Sequence, residues 1–282
     1  MIGNNHIKLK LAAGLLIFVT LMGYSTLATL VYGKSVGADR IGYGGGYAAS
    51  DQIAGVSYMT QLYDASNGLP TSDANCILGA SDGYIWIGGY SGIFRYDGRT
   101  FEKLDTSEGL SSGRGLFEDS KGRIWVATND NGVVVIDGDS RTHFSYEEGL
   151  TSSSVRSFAE SGNGDVFIGT TAGVCYVDTE GTLHVLNDKR LTEERILRLI
   201  SDRAGRIYGQ TSDGVVFAID DHSVSEIYKS SELGMAKITS ILTDPDEDGK
   251  LWFGTDSDIV YYGQFGDNAY SMNSYFPHQK VG

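Results

Sequence analysis

Ser81-Asp82-Gly83-Tyr84-Ile85-Trp86-Ile87-Gly88-Gly89-Tyr90-Ser91-Gly92-Ile93-Phe94-Arg95-Tyr96-Asp97 decides the fold, because its pattern returns four times downstream. It reads as a tight turn, an aromatic strand, a second turn and another strand. The returns are Lys121-Gly122-Arg123-Ile124-Trp125-Val126, Asn163-Gly164-Asp165-Val166-Phe167-Ile168, Ala204-Gly205-Arg206-Ile207-Tyr208-Gly209 and Asp248-Gly249-Lys250-Leu251-Trp252-Phe253. Successive turn glycines lie 39, 42, 41 and 44 residues apart. A period near forty with only β-type content fits one propeller blade per repeat. Three residues after each turn glycine stands a ring: Trp86, Trp125, Phe167, Tyr208, Trp252. A flat side chain fixed at one register suits a sheet that buries its face on the next sheet.

Working outward, a second glycine follows each aromatic strand at Gly92, Gly132, Gly173 and Gly214, as hairpin turns with positive φ require. The fifth copy has Asp258 there. Alternating segments at 58–63, 100–104, 141–146, 182–186 and 223–228 read as the opening strand of each unit. Loops carrying Leu69, Leu110, Leu150, Leu191 and Leu233 follow, then a strand with Ile77, Leu116, Phe158 or Leu199 six before the turn glycine. In the fifth copy Ile241 stands eight before it, which a turn longer by two residues explains. Residues 191–200 look helical by propensity, yet register places a strand there. Residues 268–276 resemble a sixth opening strand, so 264–282 are expected to begin a truncated sixth repeat of a longer protein.

The expected class is therefore all-β, a β-propeller of five recognisable repeats over residues 58–263, preceded by a membrane segment. With 41% apolar residues, and 38 glycines against 3 prolines, the chain suits a turn-rich core of this kind. Residues 1–10 carry Lys8 and Lys10 ahead of an uncharged run, 11–31, that as a helix would be about 31 Å long and able to span a bilayer. Positive charge before the run predicts export of everything after it. Thr26-Leu27-Ala28 is a poor cleavage site, which favours an uncleaved signal anchor over a signal peptide. Residues 32–57, glycine-rich and without apolar period, read as a flexible linker; no Gly-Lys-Ser/Thr makes them a phosphate loop.

Residues 36–282 hold 19 basic and 36 acidic side chains, and a surface of that sign disfavours nucleic acid. Cys76 and Cys175 fall in non-adjacent repeats, which argues against a disulfide. His6, His143, His184, His222 and His278 are scattered without metal-ligand spacing. Asp82, Asp97, Asp137, Asp178 and Asp248 recur at turns and strand ends, where a carboxylate bonds nearby backbone. Asp244-Pro245-Asp246-Glu247-Asp248-Gly249 opens like a calcium loop but has Thr255 where a bidentate Glu belongs, so an elongated acidic turn is the better reading. No catalytic set, cofactor site or metal site emerges. Tyr90, Asn129 and Asp130 suit either an axial mouth or solvent-facing turns.

Five copies in phase resemble the two-component regulator propeller repeat, whose pattern passes from a Gly-Leu loop to a D-G-x-[IL]-W-[IV]-G-T turn and strand. The first repeat keeps Asp82-Gly83, Ile85-Trp86-Ile87-Gly88, Gly92 and Asp97; the second keeps Gly122, Ile124-Trp125-Val126, Gly132 and Asp137. Gly164, Ile168-Gly169-Thr170, Gly173 and Asp178 carry the third, while Tyr208 and Asp258 depart from the pattern in the last two. The resemblance implies an extracytoplasmic propeller of a membrane receptor, signalling to a histidine kinase or diguanylate cyclase. It implies an extracellular ligand, carbohydrate-related cues among them, and allows a homodimer of the full-length receptor. An exported glycan lyase or hydrolase, with residues drawn from several blades, and a protein-interaction scaffold stand as alternatives.

Overall fold

The computed structural model describes residues 17–18, 29–33, 58–66, 68–71, 73–257, 259–265 and 273–275. The chain divides into two units, 1–73 and 74–282.

In the first unit, β1 (Ile17–Phe18), β2 (Thr29–Gly33) and β3 (Tyr58–Leu62) form an antiparallel sheet in that order. This corrects the helical reading of 11–31 where that run is described. Thr29, Val31 and Tyr32 are β-branched or aromatic, and the backbone groups of the segment are met by pairing Thr29 with Leu62 and Gly33 with Tyr58. β2 also crosses the expected boundary between membrane segment and linker. No described helix is long and apolar enough to cross a membrane. Residues 1–10 and most of the linker lie outside the described residues.

The second unit consists of five four-stranded antiparallel sheets. Sheet I holds β4 (Ala74–Gly79), β5 (Ile85–Gly89), β6 (Gly92–Tyr96) and β7 (Phe101–Lys103). Sheet II holds β8 (Gly115–Glu118), β9 (Ile124–Ala127), β10 (Val133–Asp137) and β11 (Ser140–Phe144). In sheet III these are β12 (Val155–Glu160), β13 (Val166–Thr170), β14 (Gly173–Val177) and β15 (Leu183–Val185). Sheet IV has β16 (Ile196–Ser201), β17 (Ile207–Thr211), β18 (Val215–Asp220) and β19 (Ser223–Lys229). Sheet V has β20 (Ile238–Thr243), β21 (Lys250–Thr255), β22 (Val260–Gln264) and β23 (Asn273–Tyr275).

The units are out of phase with the expected ones by one strand. Four of the five segments read as opening strands are the fourth strand of the sheet before: Phe101 pairs with Tyr96, Phe144 with Val133, Leu183 with Val177 and Lys229 with Val215. Likewise Tyr58–Leu62 pairs with β2 and opens no sheet of the second unit. Tyr275 pairs with Val260, so residues 273–275 complete the fifth sheet and do not begin a sixth. A hairpin turn holds each fourth strand on its predecessor, whereas the following loop carries the chain to the next sheet. Residues 196–201 form a strand, as register required over propensity.

Burial lies between consecutive sheets. Trp86 packs with Leu110, Ile124 and Val134 between sheets I and II. Trp125 joins Leu150, Phe158 and Ile168 between II and III, and Phe167 joins Leu191, Ile196 and Phe217 between III and IV. Tyr208 meets Leu233, Ile241 and Phe253 between IV and V. Each ring of this size contributes about 2–3 kcal/mol by leaving water. Trp252, on the far face of sheet V, is half-buried and lies 4.5 Å from the Tyr262 ring. The loop leucines 110, 150, 191 and 233 thus plug successive interfaces, with Arg190 and Glu232 taking the place of the preceding glycine.

Gly83, Gly122, Gly164, Gly205 and Gly249 all have positive φ, as do Gly92, Gly132, Gly173 and Gly214. Gly205 has a second reason to lack a side chain: a Cβ there would collide with the backbone of Gly162 in the neighbouring sheet. Asp258 lies outside the described residues.

Candidate functional site

The first strands of the five sheets, β4, β8, β12, β16 and β20, lie side by side in chain order and form the inner row. All run in one direction, so their trailing ends and the turns that follow gather together. There, four sheets surround a cavity of about 750 Å³, lined by Ser81, Phe117, Glu118, Asp119, Ser120, Glu160, Asn163, Asp202 and Arg203 among others.

The walls are built by clamps between neighbouring sheets. Glu118 at the end of β8 accepts from the backbone N–H of Ser81 at 2.8 Å and from its hydroxyl. One sheet on, Glu160 accepts from the Ser120 N–H at 2.7 Å and Oγ at 2.6 Å. Between III and IV the Gly162 N–H donates to the Gly205 carbonyl at 3.1 Å, and His222 bonds the Asp165 carboxylate at 2.8 Å. Between IV and V, Arg203 pairs with Asp248 at 3.2 Å, and the Gly249 N–H donates to Asp202 at 3.2 Å.

A second set of carboxylates fixes the ring tips. Asp119 accepts from Trp125 Nε1 at 2.8 Å, from Arg123 Nε at 2.6 Å, and from the N–H groups of Lys121 and Arg123. Burial pushes this carboxyl up, but the bonds from Trp125 and Arg123 outweigh it and hold the group below its ordinary value. Asp82 receives Trp86 Nε1 at 3.1 Å, and Asp202 receives the Tyr208 hydroxyl at 3.2 Å. Burial and the Asp202 charge push Tyr208 up to about 12. In sheet III the ring is Phe167, which has no polar tip, and Ser161 stands where Asp119 and Asp202 stand.

Sequence reading singled out none of the clamp glutamates, although Glu118 and Glu160 both lie four before a turn glycine and Ser81 and Ser120 two before. Tyr90, Asn129 and Asp130 do not line the cavity; Tyr90 is 56% exposed on the β5–β6 turn, at the other end of the inner row. His184 bonds Asp178 at 2.7 Å and His222 bonds Asp165 at 2.8 Å, while His143 contacts the Asn131 carbonyl. His6 and His278 lie outside the described residues. Asp244 accepts from the N–H groups of Asp246 and Glu247 and from Tyr262, making the acidic stretch a self-bonded turn. Among the described residues, no group of acidic, His or Cys side chains has the arrangement of a metal site. Both cysteines are free thiols.

Residues 68–91 and 111–130 match the family described as Two component regulator propeller. No curated protein matches the chain in sequence at a significant level. The extracellular domain of BT4673 from B. thetaiotaomicron, described as a hybrid two component system, shares the fold with a TM-score of 0.63 and 19% identity. That match covers 80% of this chain, which spans only 32% of the ectodomain's length. Virginiamycin B lyase from Staphylococcus aureus is similar at TM-score 0.61 and 16% identity, covering 79% of this chain and 77% of that one. YCF48 bound to D1 peptide aligns at TM-score 0.55 and 14% identity, over 80% and 73% of the two chains. At these identities the likeness is one of fold: repeated four-stranded sheets around an axis.

Proposed function

We propose that this chain of two-component regulator propeller repeats is the extracytoplasmic, ligand-sensing, non-enzymatic part of a membrane-anchored receptor. The reading is carried by one observation: turns of four consecutive sheets surround a single polar cavity of about 750 Å³ at the trailing end of the inner row. Sites of that size accept a small molecule, and one offering hydroxyls, carboxylates, backbone amides and the Phe117 ring suits a hydroxyl-rich ligand of the carbohydrate class. Glu118 and Glu160 are engaged by Ser81 and Ser120, which supports a binding role over acid/base work. Lys8 and Lys10 ahead of the uncharged run 11–31 support placement of the propeller outside the cytoplasm.

Two measurements test this. A reporter active only outside the cytoplasm, fused after Gly282, is expected to be active. Calorimetric titration of the chain with a panel of neutral oligosaccharides is expected to find a saturable ligand whose binding is lost in Asn163→Trp, which places an indole in the cavity. An inactive reporter together with no saturable sugar overturns the reading.

A further inference from the structure

At the opposite end of the inner row three arginines gather, Arg114, Arg156 and Arg195. In sheets I, III, IV and V the ladder between first and second strands skips one residue: Asn75, Arg156, Leu197 and Thr239. Asn75, Arg156 and Leu197 lie eight before their turn glycines, and Thr239 lies ten before, owing to the longer turn of the fifth sheet. In sheet II the same place, eight before Gly122, is taken by Arg114, just ahead of β8. The two arginines are neighbours: a Cβ on Gly115 would lie 2.9 Å from the carbonyl oxygen of Arg156, so the backbones of sheets II and III touch here.

Arg195, leading into β16, joins them. Burial and the like charges of Arg114 and Arg195 push the Arg156 guanidinium below its ordinary value. The Arg114 guanidinium stands 5.9 Å from the centre of the exposed Tyr90 ring.

What marks the cluster is the lack of counter-charge. Arg95, Arg123, Arg190, Arg203 and Arg206 each rest on a carboxylate. Arg114, Arg156 and Arg195 form no ion pair with any described residue, and the Nε atoms of Arg114 and Arg156 are buried without a hydrogen-bond partner, as is the neighbouring Ser157 hydroxyl. The charged and titratable groups acting on Arg156 are Arg114, Arg195 and Tyr90, with no carboxylate among them. Three cations gathered from three sheets repel one another, and a buried N–H without an acceptor is costly. An anion supplied from outside relieves both at once.

We propose that Arg114, Arg156 and Arg195, with Tyr90 at the edge, bind an oxyanion group, carboxylate or sulfate, of a small ligand. Guanidinium forks match either group with paired, charge-assisted hydrogen bonds, and convergence from three sheets fixes the position of the anion. The acidic surface beyond the cluster disfavours long polyanions and leaves small ones. The six residues of a first strand place this site about 20 Å from the turn-end cavity. It rests on different residues, and stands or falls apart from the sensing reading.

The test is calorimetric titration of the chain with sodium sulfate and with sodium glucuronate at constant ionic strength, glucose serving as neutral control. Saturable binding of one or both oxyanions and none of glucose is expected, the pair showing whether a tetrahedral or a planar group is preferred. Arg156→Gln is expected to weaken binding about tenfold or more. Its Tm without anion should equal or exceed that of the parent, because a repelling charge is removed, whereas a structural arginine would lower it. Should that variant fail to fold, the exposed Arg195→Gln carries the same test. Absence of saturable binding to both oxyanions, or undiminished binding in both variants, overturns the proposal.

Discussion

Replacing Asp119 by Ala should separate a turn-forming aspartate from one that holds the fold together. Its side chain is fully buried and accepts four hydrogen bonds, one of them from the indole of the fully buried Trp125. Removing the carboxylate orphans that indole N–H, at about 1–3 kcal/mol, and forfeits two backbone bonds at about 1 kcal/mol each. The Arg123 side chain is 20% exposed and regains water, so the full penalty of about 3–5 kcal/mol for breaking a buried pair does not apply. The expected loss is about 3–4 kcal/mol. Asp82 holds Trp86 in the same way, but from an exposed position where water takes over the bonds, so Asp82→Ala should cost about 1 kcal/mol. Urea unfolding followed by tryptophan fluorescence reads both, with Asp119→Ala lowering the midpoint by about 1 M or more. Combining Asp119→Ala with Trp125→Phe should recover about 1–3 kcal/mol of the single-variant cost, since no indole N–H is left orphaned. Equal costs for the two aspartates, or strict additivity with Trp125→Phe, would refute the reasoning.

Two further outcomes follow from the same geometry. The folded Asp119 carboxyl lies below its unfolded value of about 3.9, so its stabilisation is fully present above that pH and drains away as pH falls through the folded pKa; midpoints measured from pH 6 to pH 3 should fall less steeply in Asp119→Asn than in the parent. Gly122 and Gly205 share positive φ, but only at Gly205 would a Cβ meet a neighbouring backbone. Gly122→Ala should therefore cost about 1–2 kcal/mol and Gly205→Ala about 1–3 kcal/mol more, by thermal or urea unfolding.

The turn glycines and rings were legible because they recur at one register, and recurrence exposes what each sheet repeats. Pairing was not. Alternation identifies Phe101–Lys103 and Leu183–Val185 as strands, but a strand offers the same edge to the unit before it and the unit after it. Only turn length decides, and a hairpin from Tyr96 to Phe101 outcompetes the longer connection to Ala74's counterpart in the next sheet. Asp82, Asp97 and Asp178 bond turn backbone as read, whereas Asp119 and Asp202 were not singled out, because their reach to Trp125 and Tyr208 depends on a ring six residues on, across the turn. In sheet III, where Phe167 has nothing to donate, Ser161 stands at that place, and in sheet I Ala80 stands there while Asp82, two residues on, takes the Trp86 N–H.

The arginine cluster was hidden for a sharper reason. Period-two reading assigns alternate residues to opposite faces, and a bulge breaks that count at one position. Asn75, Arg156 and Leu197 occupy that position, where the side chain is freed from the ladder that commits its neighbours to the sheet interfaces, and Arg114 stands at the same register just ahead of β8. The repeat thus fixes the backbone there while leaving the residue type open, and in these four sheets it varies between amide, cation and aliphatic. Positions of constant geometry and variable chemistry at the end of an inner strand are where a propeller acquires a specificity without altering its core. By that logic, exchanging Asn75 or Leu197 for Arg should tighten the binding of an oxyanion with little change in unfolding midpoint, while the same exchange at Phe158, two residues past the bulge and inside the interface of sheets II and III, should cost several kcal/mol.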